Sequence, residues 1–322
     1  MHTPHILQKI QSAQRIVLVC HQNPDGDTLG ALTAFAETLH RLGKTYRSYC
    51  ATPYQPMFSF LTRLDQFVFE PSAIINQGAA PDLVMVFDSS SLEYAGFSTV
   101  LAQLPTRPFI INIDHHAGNT MFGDINVVQE KASSTCEIVY DLLRALRLPF
   151  NRPMATALLL GIVWDTGRFS NPATTARAYE AAADLMNAGA DYKKIEQIMA
   201  EKSLPTLQFW GKILSQLHNN PALHFTSAVI RQDDIAASNI SEEDCNGIAN
   251  FLNALDGPRA IMVLREDKQG IIKGSFRTRD SLLNVEKIAK IVGIIGGGGH
   301  KKAAGFRLKG KITKTAHGFR VI

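Results

Sequence analysis

Cysteine is scarce in this chain, and long apolar runs are missing. The four cysteines, Cys20, Cys50, Cys136 and Cys245, lie far apart and form no C-x-x-C pair. That excludes a disulfide framework and a cysteine-based structural zinc site, and it points to reduced thiols in a cytoplasm. The longest apolar stretch, ATALLLGIVW, is too short to cross a bilayer, which needs about 20 residues, so no membrane partner is expected. The opening MHTPHILQKIQSAQR lacks the basic start, long apolar segment and small-residue cleavage site of a signal peptide, again an expectation of a cytoplasmic protein. Charge is ordinary at 19% of residues beside 45% apolar ones, as in soluble globular proteins. At 322 residues the chain has room for two domains, each with its own core.

The modest net charge of +4 hides an asymmetry. Residues 1–206 carry 16 Lys+Arg against 19 Asp+Glu, whereas residues 207–322 carry 17 against 10. The last fifty residues alone hold 12 basic and 2 acidic groups. An acidic half joined to a basic half suggests a cation in the first and an anionic ligand on the second.

The first half alternates β-rich runs with helical patterns. RIVLVC, KTYRSYC, DLVMVFD and FIINID read as strands, the last two as near-continuous apolar runs of the kind buried on both faces of a parallel sheet. DTLGALTAFAETLHRLG reads as a helix closed by Gly43. SSTCEIVYDLLRALRL begins with a capping box, Ser134 with Glu137, and PMATALLLGIVWD is a buried helix with Pro153 in its first turn. The pattern predicts a doubly wound, mostly parallel α/β domain over 1–190 and a helical linker over 191–215. A smaller α+β domain follows over 216–322, with strands HFTSAVI, RAIMVLRED and IIKGSFRTR, helices EEDCNGIANFLNAL and VEKIAKIVG, and a loop GGGGHKKAAGF. In doubly wound sheets ligands bind beyond the carboxyl ends of the strands, where His21, Asp88 and Asp114 fall.

Four segments of the first domain carry acids and histidines: HQNPDGD, VFDSSS, NIDHH and GIVWDTGRFS. Each alone is weak, since an aspartate after a strand is more often a turn former or helix cap. Together they supply five aspartates and three histidines, most of them near one sheet edge. Adjacent carboxylates oppose each other's ionisation, and two divalent cations would relieve that repulsion. Gly26 is expected to let the backbone turn tightly between Asp25 and Asp27, with Pro24 stiffening the turn. The remaining histidines, His2, His5, His40, His218, His224 and His317, are isolated from other ligand types and are read as non-functional.

The order H-x-x-x-D-x-D, then D, then D-H-H, then D-T-G resembles the DHH phosphoesterase superfamily. GGGGHKKAAG resembles the signature of the C-terminal substrate domain in its oligoribonuclease and pAp-phosphatase branch. The resemblance implies that His21, Asp25 and Asp88 hold one metal ion and that Asp27, Asp88, His115 and Asp165 hold a second, with Asp88 bridging. It further implies that His116 faces the scissile phosphate and that Asp114 orients the histidine pair. Mixed imidazole and carboxylate ligands suit manganese better than magnesium. Such a pair of ions supports attack on phosphorus by a metal-bridging hydroxide, with His116 stabilising charge or protonating the leaving group. Trp164 departs from the family pattern, which more usually has a small or polar residue there, and IAKIVGIIGGGGH is longer than usual between helix and glycines.

On the substrate side, Arg277 and Arg279 alternate on a strand and are expected to share a face, as bidentate phosphate ligands. Gly297, Gly298 and Gly299 form a glycine-rich turn that an anion can approach, followed by His300 and Lys301. The resemblance implies that Arg279, the glycine loop and His300 hold the far end of a short nucleotide, with Arg277 and Lys301 read as further substrate contacts. Ser134, Thr135 and Arg168 are read either as lining residues or as capping and surface residues. The expected activity is hydrolysis of short single-stranded oligonucleotides to nucleoside monophosphates, and of the bisphosphate pAp. The alternatives are a cyclic or linear signalling dinucleotide, inorganic pyrophosphate or polyphosphate, and a non-catalytic nucleotide sensor. A homodimer is compatible with the resemblance, and no stretch of sequence marks one.

Overall fold

The computed structural model describes residues 3–75, 80–170, 173–315 and 318–322. His2 and His317 lie outside them, as does the side chain of His300. The chain divides into two compact units, Met1–Ala200 and Glu201–Ile322.

In the first unit the order is helix α1 (Thr3–Ser12), strand β1 (Ile16–Cys20), α2 (Gly26–Arg41), β2 (Tyr46–Tyr49), β3 (Phe67–Val68), α3 (Ser72–Ile75), β4 (Leu83–Phe87), α4 (Ser98–Gln103), β5 (Phe109–Asp114), β6 (Ile125–Val128), α5 (Thr135–Ala145), α6 (Arg152–Asp165), α7 (Ala176–Asn187) and α8 (Tyr192–Ala200). The strands form one parallel sheet in the order β3-β2-β1-β4-β5-β6. Every residue of β1 and β4 is buried, because the sheet is covered on both sides. Ile16, Leu18 and Cys20 face a core shared with α2, α5 and α6, while Val17 and Val19 face the core under α4. The period-2 pleat sends alternate side chains to opposite faces, so a run buried on both must be apolar throughout.

Local chemistry sets the helix ends. Ser134 caps α5 by accepting from the Glu137 amide at 3.0 Å, as expected, but the expected capping box is not closed: the Glu137 carboxylate accepts from the amide and hydroxyl of Ser133, at 3.1 and 2.6 Å, one residue earlier. Asn151 caps α6 through the Met154 amide at 2.9 Å, with Pro153 in the first turn. Gly43, at φ +66°, stands past the end of α2, where a left-handed residue stops a helix without steric cost.

The second unit holds α9 (Leu204–Leu214), β7 (His218–Asn220), β8 (Phe225–Ile230), α10 (Gln232–Ala237), α11 (Ile248–Leu252), β9 (Ala260–Glu266), β10 (Ile271–Arg277), α12 (Val285–Val292), β11 (Gly296–His300), β12 (Ala303–Lys309), β13 (Ile312–Thr315) and β14 (Gly318–Val321). Its main sheet runs β11-β12-β10-β9-β8-β7, antiparallel except for the β8–β9 pair. Phe209, Ile213, Ile248 and Leu252 cover one face, and Val285 and Ala289 of α12 pack with Ile272, Phe276 and Phe306 on the other. No helix among the described residues is long and apolar enough to cross a membrane.

Three expectations for this unit need correction. EEDCNGIANFLNAL is not one helix: a 3-10 turn at Glu243–Cys245 and α11 are separated by Gly247 at φ +94°. The glycine run is not a turn but the edge strand β11, paired antiparallel with β12. Its glycines permit close packing, since a Cβ on Gly297 would stand 2.1 Å from the Ala289 carbonyl oxygen of α12. Arg279 lies beyond the end of β10, although burial still alternates through it, with Phe276 and Thr278 buried and Arg277 and Arg279 on the more open side.

Candidate active site

The strand order decides where this site lies. From β1 the sheet grows one way through β2 and β3 and the other through β4, β5 and β6, so the chain reverses direction across the sheet between β1 and β4. A crevice opens at such a switch point beyond the carboxyl ends of the strands. His21 follows β1, Asp88 follows β4, and Asp114 closes β5 ahead of His115 and His116. Asp25 caps α2, Asp27 is in its first turn, and Asp165 ends α6.

These elements bring the acids and rings within a few ångströms. The Nε2 atom of His21 is 3.8 Å from Asp25 and 3.5 Å from Asp88. The Nε2 atom of His115 is 3.2 Å from Asp165, 3.6 Å from Asp88 and 4.0 Å from Asp27. Most of these separations are too long for hydrogen bonds. Two ligand atoms each about 2.1 Å from one cation, at roughly 90–110° to each other, stand about 3.0–3.4 Å apart. The donor set therefore fits divalent cations with little closing. His21, Asp25 and Asp88 form one such group and Asp27, His115 and Asp165 another, with Asp88 beside both. His21 is also oriented as a ligand: Nδ1 stands 2.7 Å from the Gln22 carbonyl oxygen, which can only accept, so Nδ1 carries hydrogen and Nε2 faces the acids.

The electrostatics describe a site that needs positive charge. Burial pushes Asp27 well up, and the charges of Asp88 and Asp165 push it further. Burial likewise raises Asp165, to about 6 against its bond with His115. Burial alone would lower His21 and His115, but the surrounding carboxylates overrule it and push them up to about 12 and about 10. Burial would raise Asp88 too, yet the histidines around it hold it below the usual range. Without a cation, imidazolium groups supply the compensating charge.

Two supports were not legible as such in the sequence. Asp27, fully buried, accepts from the amides of Thr135 at 2.6 Å and Cys136 at 2.9 Å, at the start of α5. A helix N-terminus favours a carboxylate, so the helix start that Ser134 caps also serves Asp27. The Thr135 hydroxyl donates to Asp88 at 3.0 Å; Thr135 is therefore a positioning residue as well as the first residue of the helix. Asn119 is the second: it donates to Asp114 at 2.6 Å and to the Ser89 carbonyl oxygen at 3.1 Å. Buried Asp114 in turn accepts from Nδ1 of His116 at 2.7 Å. That bond occupies Nδ1, so His116, although within reach of Asp88 and His115, turns its Nε2 away from Asp114. The same bond raises the pKa of His116 against the effect of burial.

Gly26 has a different reason from the expected turn. It is the first residue of α2, and a Cβ there would stand 2.8 Å from the Trp164 ring. Trp164 packs over this turn, with Phe58 edge-on at 5.4 Å.

A model of the DHH family N-terminal domain matches residues 15–162, and a DHHA1 domain model matches residues 225–316. The chain belongs to the DHH superfamily. This DHH protein is 28% identical over 298 residues to the bifunctional oligoribonuclease and PAP phosphatase NrnA of Thermus thermophilus, covering 92% of this chain and 84% of that one. It is 26% identical over 306 residues to the protein of the same name from Bacillus subtilis, covering 93% and 91%. The crystal structure of an exopolyphosphatase-related protein from Bacteroides fragilis shares the fold, with a TM-score of 0.86 at 22% identity over 96% of this chain and 92% of that one. The DHH chain is a hydrolytic phosphoesterase.

In the DHHA1 domain, Arg277 is hydrogen-bonded by Nε to Asn250 at 2.8 Å and by Nη1 to the Phe276 carbonyl oxygen. Burial lowers its pKa, and among the described residues no carboxylate pairs with it. Arg279 and Lys301 are exposed. Arg168, at φ +60°, is 3.6 Å from Glu196, on the surface of the first unit.

Proposed function

We propose that this phosphoesterase hydrolyses di- to pentanucleotides of RNA to nucleoside monophosphates, and pAp to AMP. The observation that carries the reading is similarity over more than nine-tenths of the chain, both domains included, to proteins named for those two activities. In this reading His21, Asp25 and Asp88 hold one divalent cation, and Asp27, Asp88, His115 and Asp165 hold another. Manganese suits this mixture of imidazole and carboxylate. Such ions supply Lewis-acid polarisation of a phosphoryl oxygen and lower the pKa of water.

The protein's own groups do the rest. Thr135 and the amides at the start of α5 fix Asp88 and Asp27. Asp114, held by Asn119, keeps Nδ1 of His116 protonated and the ring oriented, so that Nε2 of His116 serves as proton donor to the leaving oxygen. Arg277, Arg279, Gly297, Gly298, Gly299, His300 and Lys301 bind the remainder of the substrate. An arginine with neutral partners only, such as Arg277, suits an incoming phosphate. Four buried, unpaired cysteines support a reducing cytoplasm.

The test is a manganese-dependent hydrolysis panel of dinucleotides, longer oligomers, pAp, cyclic dinucleotides and pyrophosphate. Dinucleotides and pAp should be cleaved fastest; a preference for pyrophosphate or for a cyclic dinucleotide would replace the reading with that alternative.

A further inference from the structure

We propose that Tyr94 is a nucleobase-stacking residue of the metal site and sets its preference for nucleotides over smaller phosphate esters. This rests on the nucleotide reading above.

The ring of Tyr94 lies on the imidazole of His21, with centroids 5.2 Å apart and planes at 29°. Tyr94 is nonetheless 49% exposed, although a tyrosine of the first unit has ample apolar core to enter. No hydrogen bond is found for its hydroxyl among the described residues. One face of the ring is covered by a histidine of the metal group, and about half of the residue's surface stays exposed beside it.

The segment carrying Tyr94 is held firmly. The Tyr94 amide donates to the Ser91 hydroxyl at 3.1 Å, and its carbonyl oxygen accepts from the Gln22 amide at 3.2 Å. The Gln22 side chain donates to the Glu93 carbonyl oxygen at 3.1 Å. Ala95 and Phe97 on either side of Gly96 are buried in the core under α4. The residue after His21 thus staples the segment to the metal site, and the ring is pre-organised at its rim.

Orienting His21 does not require the tyrosine, because the Gln22 carbonyl oxygen and two carboxylates already fix that ring. A half-exposed aromatic ring at this position suits the flat face of a base. Stacking of this kind accepts any base, since every base has a π-face, and contributes on the order of 5- to 100-fold in affinity.

The test compares Tyr94→Ala and Tyr94→Phe with wild type by titrating AMP and ribose 5-phosphate, which differ by the base, and by measuring dinucleotide kinetics. Wild type and Tyr94→Phe should bind AMP about tenfold or more tightly than ribose 5-phosphate. Tyr94→Ala should bind the two alike, with its loss on the dinucleotide falling mainly in KM. Equal losses on AMP and ribose 5-phosphate, a loss confined to kcat, or weakened manganese binding by Tyr94→Ala would each show that the ring acts on His21 instead, and would overturn the proposal. Wild type that cleaves neither dinucleotides nor pAp overturns the functional reading and this inference with it. Wild type that cleaves them while Tyr94→Ala matches it overturns this inference alone.

Discussion

Asp88 is the residue around which the site is built. It sits at φ +56°, a backbone region costly for an aspartate, and it lies within 4 Å of three histidine rings. Replacing it with alanine removes a ligand from both proposed metal positions, so manganese-dependent turnover should fall by about a thousandfold or more; retained hydrolysis by Asp88→Ala would defeat the two-cation assignment. Replacing Asp114 with asparagine, or Asn119 with alanine, should lower kcat about 10- to 100-fold while leaving manganese affinity nearly intact, because Asp114 bonds His116, the Asn119 side chain bonds Asp114, and neither side chain bonds a proposed metal ligand. Protons must also leave when a cation arrives. With His21 and His115 raised to about 12 and about 10 in the metal-free protein, both are protonated at pH 7, and a ligand must be neutral. Manganese affinity should therefore rise with pH, by about tenfold per pH unit for each proton released; calorimetry in buffers of different ionisation enthalpy would count those protons.

At the scale of elements, the site depends on how closely α2, α5 and α6 approach. Gly161 in α6 has no room for a methyl group: its Cβ would stand 2.3 Å from the Cys136 sulfur and 2.6 Å from the Asp27 carboxylate. Alanine is the better helix former by about 1 kcal/mol, yet Gly161→Ala should destabilise the protein by about 1–3 kcal/mol through overpacking. It should also weaken manganese binding by displacing Asp27. Chemical denaturation and metal titration of the same variant check both. These contacts were not legible beforehand, whereas the apolar runs of β1, β4 and β5 and the Ser134 cap were, because periodicity and capping are local properties. Local reading fails at the glycine strand β11 for the same reason. Its glycines look like a turn in isolation and become a strand only because β12 pairs with them and α12 passes close behind.

At the scale of the whole molecule, the two units have separate cores, and the proposed metal ligands all lie in the first. Manganese at a hundred times its dissociation constant should stabilise that unit by about 2.7 kcal/mol. In a thermal scan its transition should move up and that of the second unit stay, with the shift absent in Asp88→Ala; an equal shift of both transitions would contradict metal binding confined to the first unit. The sequence by itself determined the kinds of ligand available, the parallel α/β pattern, the helix caps and the charge contrast between the halves. Only the tertiary structure decided that His21 meets Asp88, that α5 points its amides at Asp27, that Asn119 holds Asp114, and that Tyr94 covers His21. The reason is physical: spacing along the chain encodes which face a side chain takes, whereas convergence of residues tens of positions apart depends on strand order and packing.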